Sequence, residues 1–227
     1  MRRLTIYTSV VLLSALASRL PLSARPAQSA APQQIDLAER LTAGKLRAVN
    51  RDVTALQGDR RGVHVSQKAG PDVVWIEGSD FAQGTIELDV RGRDVPQQSF
   101  LGVAFHRKDD NTYEGVYLRP FNFRASDPTQ HQHAVQYISV PDYDWPRLRK
   151  EFPEEFENPV DPSVGPTDWV PLRVIVKDRA IQIYVGQVTS PTLEVRKLGS
   201  LDRGLVGLWV GNNSDGDFAN LRITAAK

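Results

Sequence analysis

The chain has 227 residues, no cysteine and a net charge of +1, with 24% charged and 41% hydrophobic residues. This length and ordinary composition favour a single domain, because a chain of this size can bury a sizeable apolar core. Without cysteine the protein has no disulfide, no reactive thiol and no lipid-modified cysteine. Basic residues are scattered rather than clustered, which argues against nucleic acid as a partner.

The first residues have the pattern of an export signal. A basic start at residues 1–3 precedes an apolar run at 4–17, and small residues with cleavage spacing stand at 15–17 and 27–29. The apolar run is shorter than the roughly 20 residues of a membrane span. We therefore expect a signal peptide over residues 1–29 and an exported protein, periplasmic or extracellular, that does not span the membrane. Its remaining 24 basic and 27 acidic residues give the mature chain a net charge of −3.

Residues 30–50 are predicted as a linker and N-terminal segment, in which residues 36–49 hold one short helical turn. Beyond them, apolar and polar residues alternate, as is typical of strands with one buried face. Turn sequences such as KAGPD at 68–72 and KDDN at 108–111 separate these segments. We expect strands at residues 63–66, 73–76, 85–91, 100–106, 113–119, 134–140, 170–177, 181–185, 205–210 and 221–224.

The series of strands, uninterrupted by a long amphipathic helix, indicates an all-β protein. Hairpin spacing favours an antiparallel two-sheet jelly-roll sandwich over residues 51–227. One long segment at 141–168 departs from this spacing. It contains six prolines and four aromatic residues, and a short helix is expected near 148–156. A loop of this length in a compact domain is usually functional or disordered, and its aromatic content favours function.

The segment 100–123, FLGVAFHRKDDNTYEGVYLRPFNF, predicts a hairpin with two different faces. Alternation places five apolar residues on the core face: Leu101, Val103, Phe105, Val116 and Leu118. The opposite face mixes small, polar and aromatic residues: Phe100, Gly102, Ala104, His106, Tyr113, Gly115, Tyr117 and Arg119. Glycine weakens a strand, so this face has either close backbone packing or a low floor beneath a bound ligand.

The segment 204–211, GLVGLWVG, has a similar pattern, with Trp209 between Gly207 and Gly211. Trp209 is either a platform for a sugar ring or a buried aromatic that needs small neighbours. We favour the second interpretation, because large aromatic side chains are mostly buried.

The last third of the chain resembles a known superfamily. Its segments WVPLRVIVKDRAIQIYVG, LEVRKLGS and GLVGLWVGNNSDGDFANLRI resemble the concanavalin A-like lectins and glucanases, in particular laminin G-like domains and bacterial 3-keto-disaccharide hydrolase-like domains. The resemblance covers about residues 60–225 and implies a two-sheet jelly roll with ligands on its concave sheet. It also implies that Tyr117 and Arg119 in VYLRPF, and Gln136 in HAVQY, project from that sheet.

Acidic residues do not form the complete pattern of a retaining β-glucanase. Such enzymes carry Glu-x-Asp-x-x-Glu on one strand, so that two carboxylates flank the glycosidic bond. Here Glu87 and Asp89 are followed by Arg91 and Gly92, and a solvated strand face is expected. Alternation along its strand places Glu114 on the same face as the apolar residues. A salt bridge is the simplest explanation for a glutamate at this position.

The other candidates for acid–base catalysis are a histidine and two aspartates. A histidine such as His106 can act as a general base, and Asp142 and Asp144 flank Tyr143 at the start of segment 141–168. Capping of this segment is the simpler role for the two aspartates.

Two short sequences contain groups that can bind a metal. His131 and His133 in HQH point the same way on an extended chain, but no third ligand is near, so a solvated strand start is expected. NNSDGD at 212–217 has oxygen ligands without the closing glutamate of a calcium loop, so a plain turn is expected. We expect no cofactor, with calcium at 212–217 as the alternative.

These features favour an exported domain that binds a carbohydrate or glycoconjugate in a groove on the concave sheet. The expected ligand-binding residues are Tyr113, Tyr117, Arg119, Gln136, Trp145 and His106. A second hypothesis is a glycoside hydrolase acting on a 3-keto or ordinary disaccharide through His106, Asp142 and Asp144. A third is an envelope interaction module in which segment 141–168 binds a protein.

Overall fold

The computed structural model describes residues 31–58 and 60–226, so the predicted signal peptide lies outside the described residues. The strands among them are β1 (Gln33–Ile35), β2 (Leu46–Ala48), β3 (Val53–Ala55), β4 (Gly62–Lys68), β5 (Asp72–Ile76), β6 (Gly84–Arg91), β7 (Leu101–Asp109), β8 (Thr112–Leu118), β9 (Val135–Val140), β10 (Glu157–Asn158), β11 (Val170–Lys177), β12 (Ala180–Val185), β13 (Leu193–Arg196), β14 (Leu205–Val210) and β15 (Ser214–Ala225). The α-helices are α1 (Leu37–Thr42), α2 (Pro128–Gln132) and α3 (Trp145–Glu151), and a 3-10 turn spans Pro120–Asn122.

The strands form two antiparallel sheets. Sheet A has the order β13-β12-β11-β6-β15-β4-β3, and β1 pairs with a second part of β15. Sheet B has the order β10-β9-β8-β7-β14-β5-β2. Between them lies one continuous hydrophobic core, to which Phe105, Tyr137 and Phe218 contribute large buried side chains. The predicted all-β antiparallel sandwich is confirmed.

All ten predicted strands are present, and β11 and β14 have the predicted bounds. The last strand, predicted at 221–224, is longer than expected. It is β15, which begins at Ser214, directly after a turn at 212–213, and continues past a bulge at Asn220. The predicted turn at 212–217 is therefore shorter than expected. The five strands that were not predicted, β1, β2, β3, β10 and β13, have two to four residues each. Segments this short show no measurable alternation.

Residues 33–48 pair with strands of both sheets. β1 pairs with the C-terminal strand β15, and β2 pairs with β5 in the other sheet. Between them Asp36 caps α1 by accepting a hydrogen bond from a backbone N–H of its first turn. Ile35 and Leu37 are buried in the core. The segment predicted as a linker and N-terminal segment therefore contributes two strands and one helix to the sandwich.

The segment 141–168 folds back against the edge of sheet B. Helix α3 begins at Trp145, earlier than the predicted 148, because Asp144 accepts a hydrogen bond from the Arg147 backbone N–H at 3.1 Å and Pro146 occupies the first turn. After α3, strand β10 pairs with β9 and becomes the edge of the sheet. This return brings the segment next to the residues predicted for the groove.

Candidate functional site

One row of side chains crosses the face of sheet B that points away from sheet A, here called the outer face. The strand register places Tyr117 opposite Gln136 on β9 and opposite Gly102 on β7. Gly102 in turn stands opposite Trp209 on β14, and Gln136 stands opposite Glu157 on β10. Residues from five strands therefore lie side by side, including two of those predicted to bind a ligand.

Aromatic side chains pack against one another along this face. The rings of Tyr117 and Trp209 stack with centroids 4.5 Å apart, and Trp209 Nε1 donates a hydrogen bond to the Tyr113 hydroxyl at 3.1 Å. Tyr113 also meets Trp75 edge to face at 5.4 Å. We call Tyr117, Trp209, Tyr113 and Trp75 the aromatic row; none of them is more than 6% exposed. The predicted ring contact at Tyr113 is therefore made by protein side chains.

Burial also keeps the phenols of the aromatic row protonated. It raises the pKa of Tyr113 to about 12, although the hydrogen bond from Trp209 acts in the opposite direction. It also raises the pKa of Tyr117 above its ordinary value, against the opposing charge of Arg119. Both hydroxyls are neutral near pH 7 and serve as hydrogen-bond partners within the protein.

Close packing explains the glycines at the centre of the outer face. A Cβ atom on Gly102 would overlap the carbonyl oxygen of Val116, and one on Gly207 would overlap the side chain of Val73. Only Gly115 has room, since the nearest atom to a Cβ there would be 3.4 Å away. The low floor predicted from these glycines is therefore filled by neighbouring strands and side chains.

Arg119 is the centre of a polar group at the β8–β9–β10 edge. Its Nη2 donates to the Tyr117 hydroxyl at 2.7 Å and to Gln136 Oε1 at 3.0 Å, and its Nη1 donates to the His133 carbonyl at 2.9 Å. The guanidinium lies 3.8 Å from Glu157. Burial lowers the pKa of Arg119, whose side chain is 5% exposed. Its hydrogen-bonding groups are used within the protein, so Arg119, Tyr117 and Gln136 form a supporting layer.

Glu157 joins this layer to the surface of the protein. Arg149 on α3 donates to its carboxylate through Nε at 3.0 Å and Nη2 at 2.9 Å, the two-pronged geometry that makes such pairs strong. His133 Nε2 lies 3.2 Å from the same carboxylate. Arg149 also lies over the ring of Trp145, at 5.0 Å. Trp145 is 48% exposed, so its ring is accessible for the ligand contact predicted there.

We call Arg119, Gln136, His133, Arg149 and Glu157 the edge cluster. It contains two permanent positive charges and one carboxylate, with Trp145 at its solvent side. Sequence patterns indicated Arg119, Gln136 and Trp145. They did not indicate Arg149, Glu157 or the contact of His133, because these come from α3, β10 and the end of α2.

His106 does not lie on the outer face. Its backbone is left-handed, with φ 54°, and the register of β7 against β8 shifts after Phe105. The side chain is fully buried, with Nδ1 2.6 Å from Glu114 Oε2 and Nε2 2.7 Å from the carbonyl oxygen of Ala82. A carbonyl oxygen only accepts, so Nε2 carries a proton. Neither ring nitrogen is available to a ligand, contrary to the prediction.

Glu114, on the core side of β8, is the centre of a buried polar group that we call the interior cluster. Its carboxylate accepts a short hydrogen bond from the Tyr137 hydroxyl and lies 3.6 Å from Lys197 Nζ. With His106 these are its four members. Burial, followed by the charge of Glu114, raises the pKa of Tyr137 well above its ordinary value. The salt bridge predicted for Glu114 from its apolar parity is confirmed.

The structure does not bring together the residues proposed for acid–base catalysis. Asp144 caps α3, which confirms the simpler role predicted for it, and Asp142 is exposed on the same segment. His106 is enclosed in the interior cluster. Glu87 and Asp89 lie on the outer face of sheet A, where Asp89 pairs with Arg60 at 2.9 Å.

The two histidines of HQH are not on an extended chain. Asp127 accepts a hydrogen bond from the Gln130 backbone N–H at 2.8 Å, and with Pro128 it starts helix α2. His131 Nε2 lies 3.1 Å from the Val160 carbonyl oxygen, while His133 contacts Glu157.

Within residues 31–58 and 60–226, no group of three or more histidine, cysteine or carboxylate side chains could hold a metal ion. In the same part of the chain, no helix has the length and apolar composition needed to cross a membrane.

Because His133 belongs to the edge cluster, we expect the stability of the protein to depend on pH. Burial lowers the pKa of His133 below its ordinary value of 6.5, although Glu157 opposes this effect. The folded protein therefore favours neutral His133, while the unfolded chain takes up the proton more readily. Its contribution to stability is complete above about pH 6.5 and decreases as the pH falls toward the folded-state pKa. Urea unfolding at about pH 7.5 and about pH 5.5 should show a smaller decrease for His133→Gln than for wild type. Equal decreases would contradict the assignment.

Several solved structures have the same fold. A carbohydrate-binding module, CBM66, from Bacillus subtilis is 14% identical, with a TM-score of 0.56 over 79% of this chain and 95% of that one. A Bacillus subtilis protein with a galectin-like fold is 12% identical, with a TM-score of 0.57 over 88% and 99%. The kappa-carrageenase of Pseudoalteromonas carrageenovora, solved with an oligotetrasaccharide of kappa-carrageenan, is 13% identical, with a TM-score of 0.54 over 92% and 100%.

No protein-family model and no curated protein matches the sequence. The structural likeness, at these identities, concerns the fold. The chain has the two-sheet fold of the concanavalin A-like lectins and glucanases, as the resemblance of its last third implied.

Proposed function

We propose that this protein is an exported carbohydrate-binding domain whose binding surface lies at the edge cluster. The observation that carries the proposal is the exposed ring of Trp145 beside Arg149, which is itself fixed by the buried carboxylate of Glu157. The fold, which a carbohydrate-binding module shares, supports the same function. Export rests on the signal peptide predicted for residues 1–29.

The chemistry of this surface suits a sugar. An exposed indole offers an apolar face to the C–H groups of a pyranose ring, and its N–H is available as a donor. Arg149, with a side chain 28% exposed, and His133, at 22%, add polar groups beside it. These groups are held in place before a ligand arrives, which lowers the entropy lost on binding.

Tyr117, Arg119 and Gln136 have a different role from the one predicted. They are buried beneath Glu157 and bonded to one another, so they position Glu157 and Arg149 instead of touching the ligand. The ligand then contacts the outer layer, which consists of Trp145, Arg149 and His133.

The test is a glycan array with the wild-type protein, followed by calorimetry with the best glycan and with Trp145→Ala. Loss of the indole is expected to weaken binding by about five- to tenfold, because one good ring contact contributes roughly 1 to 1.5 kcal/mol. Trp145 is largely exposed, so the variant should keep the unfolding temperature of the wild type.

Trp169→Ala is the matched control. Trp169 lies on the outer face of sheet A, between the guanidinium groups of Arg60 at 4.5 Å and Arg91 at 4.8 Å. This control should bind the glycan like the wild type. The proposal fails if the wild type binds no glycan, or if both tryptophan variants bind as tightly as the wild type.

A further inference from the structure

A groove of about 410 Å³ lies on the outer face of sheet A, on the opposite side of the sandwich from the edge cluster. Four neighbouring strands supply most of its polar side chains: Glu87 and Asp89 from β6, Arg173 from β11, Tyr184 from β12, and Asn220 and Arg222 from β15. Pro171 and Val188 add apolar surface.

The strand register creates an ordered row of charges across the groove. Arg173 stands opposite Tyr184 on one side and opposite Glu87 on the other, and Glu87 stands opposite Arg222. The Arg173 guanidinium lies 4.0 Å over the Tyr184 ring, a contact that fixes its plane. This row is distinct from the pairs made by Arg60 and Arg91 with Trp169 nearby.

Arg173 has unused hydrogen-bonding capacity. Its Nε is buried and has no hydrogen-bond partner within residues 31–58 and 60–226, and in the same residues Arg173 makes no salt bridge. A buried donor without a partner is costly, and native proteins rarely keep one without a reason. Because Nε itself is buried, the Nη groups of this guanidinium, which lies over the Tyr184 ring, are the donors that can reach acceptor oxygens of a ligand.

Glu87 provides the complementary group. Its nearest partner is Arg222 at 3.9 Å, which is too far for a hydrogen bond. Asp89, by contrast, is engaged by Arg60 at 2.9 Å and Asn220 at 2.7 Å. The groove therefore presents a guanidinium and a carboxylate that make no hydrogen bond to each other or to Arg222, on adjacent strands about 5 Å apart at the backbone.

We infer that this groove is a second binding site, separate from the edge cluster, for a neutral polyhydroxyl ligand such as a disaccharide. Two carboxylates and two guanidinium groups balance each other in the lining, so the groove has no excess charge to attract an ion. One sugar hydroxyl accepts from Arg173 while a neighbouring hydroxyl donates to Glu87. The inference does not depend on the proposed role of the edge cluster, because no residue is shared between the two sites.

A ligand titration monitored by the backbone-amide NMR signals distinguishes the two sites. The ¹⁵N-labelled domain is titrated separately with maltose, with sucrose and with glycine, a zwitterion that carries the complementary charges. At least one disaccharide should produce saturable shifts at residues 86–89 and 172–174, whereas glycine should not. Binding at the edge cluster, if it occurs, appears separately at residues 145–158.

Two conservative variants test the assignment of residues. Glu87→Gln and Arg173→Lys should each weaken the groove titration by about tenfold or more, because Lys lacks the planar fork and Gln lacks the charge. Trp145→Ala should leave this titration unchanged. The inference is overturned if neither disaccharide gives saturable shifts in the groove, if glycine gives shifts equal to theirs, or if both groove variants retain wild-type affinity.

Discussion

Replacing Arg51 by alanine is expected to destabilise the domain by about 3 to 5 kcal/mol, the largest effect of any single arginine substitution. The side chain is only 6% exposed and donates to five backbone carbonyl groups. The acceptors are the carbonyl oxygens of Ser66 at 3.2 Å, Lys68 at 2.8 Å, Gly211 at 3.0 Å, Ser214 at 3.3 Å and, by a short contact, Gly70. Alanine would remove this charged donor from all five oxygens, of which those of Lys68 and Gly211 would keep one backbone N–H donor each.

The position of these acceptors explains the size of the effect. Residues 66–70 end β4 and enter the turn to β5, while residues 211–214 connect β14 in sheet B to β15 in sheet A. Arg51 therefore ties together two connections between the sheets. Burial lowers the pKa of its guanidinium, but an arginine remains charged at any pH at which the protein is folded.

The measurement is urea unfolding followed by circular dichroism. Arg61→Ala serves as the control, because Arg61 is 73% exposed and pairs with Asp36 at the surface, where such a pair contributes about 0 to 1 kcal/mol. Arg51→Lys should be intermediate, since an ammonium group reaches fewer of the five oxygens. A loss for Arg51→Ala no larger than that for Arg61→Ala would contradict the prediction.

Glu114→Ala should destabilise the domain by a similar amount, about 3 to 5 kcal/mol, because the other three members of the interior cluster lose their common partner. The carboxylate is fully buried and meets His106 Nδ1 at 2.6 Å and Lys197 Nζ at 3.6 Å, besides the hydroxyl of Tyr137. Its removal leaves a buried ammonium group and a buried imidazole uncompensated.

Glu114→Gln should cost less, because an amide oxygen still accepts from Tyr137. Glu194→Ala, at an exposed position of β13, is the control and should change the free energy of unfolding by less than about 0.5 kcal/mol. Combining Glu114→Gln with Lys197→Met removes both charges and should recover part of the loss, since apolar replacement of a whole buried pair is often neutral. Equal stability of wild type and Glu114→Ala would show that the cluster contributes nothing to the fold.

The two clusters show why alternation alone did not locate the site. His106 stands at the parity of the outer face, but a left-handed backbone at this residue places its ring against Glu114. A one-residue irregularity of this kind reverses the face of a side chain. No feature of the sequence AFHRKD marks the bulge, whereas Asp127-Pro128 did carry a helix-start signal that identifies α2.

The edge cluster likewise depends on the tertiary arrangement. Arg149 and Glu157 lie eight residues apart and meet because β10 pairs with β9 after α3, a contact that no local spacing indicates. The exposed position of Trp145 follows from the same return of segment 141–168. The sugar-binding surface proposed here therefore shares only Trp145 with the contacts predicted from the sequence.

By itself, the sequence determined the two-sheet antiparallel fold, the bounds of β11 and β14, and the salt bridge of Glu114. These depend on the period of two, a property of a single strand that persists in any sheet. Only the tertiary structure decided that the side chains of the aromatic row are buried against one another, that residues 33–48 pair with the sheets, and that a polar groove lies on sheet A. Such features depend on which strands are neighbours and on the register between them. Both are determined jointly by residues that are distant in sequence.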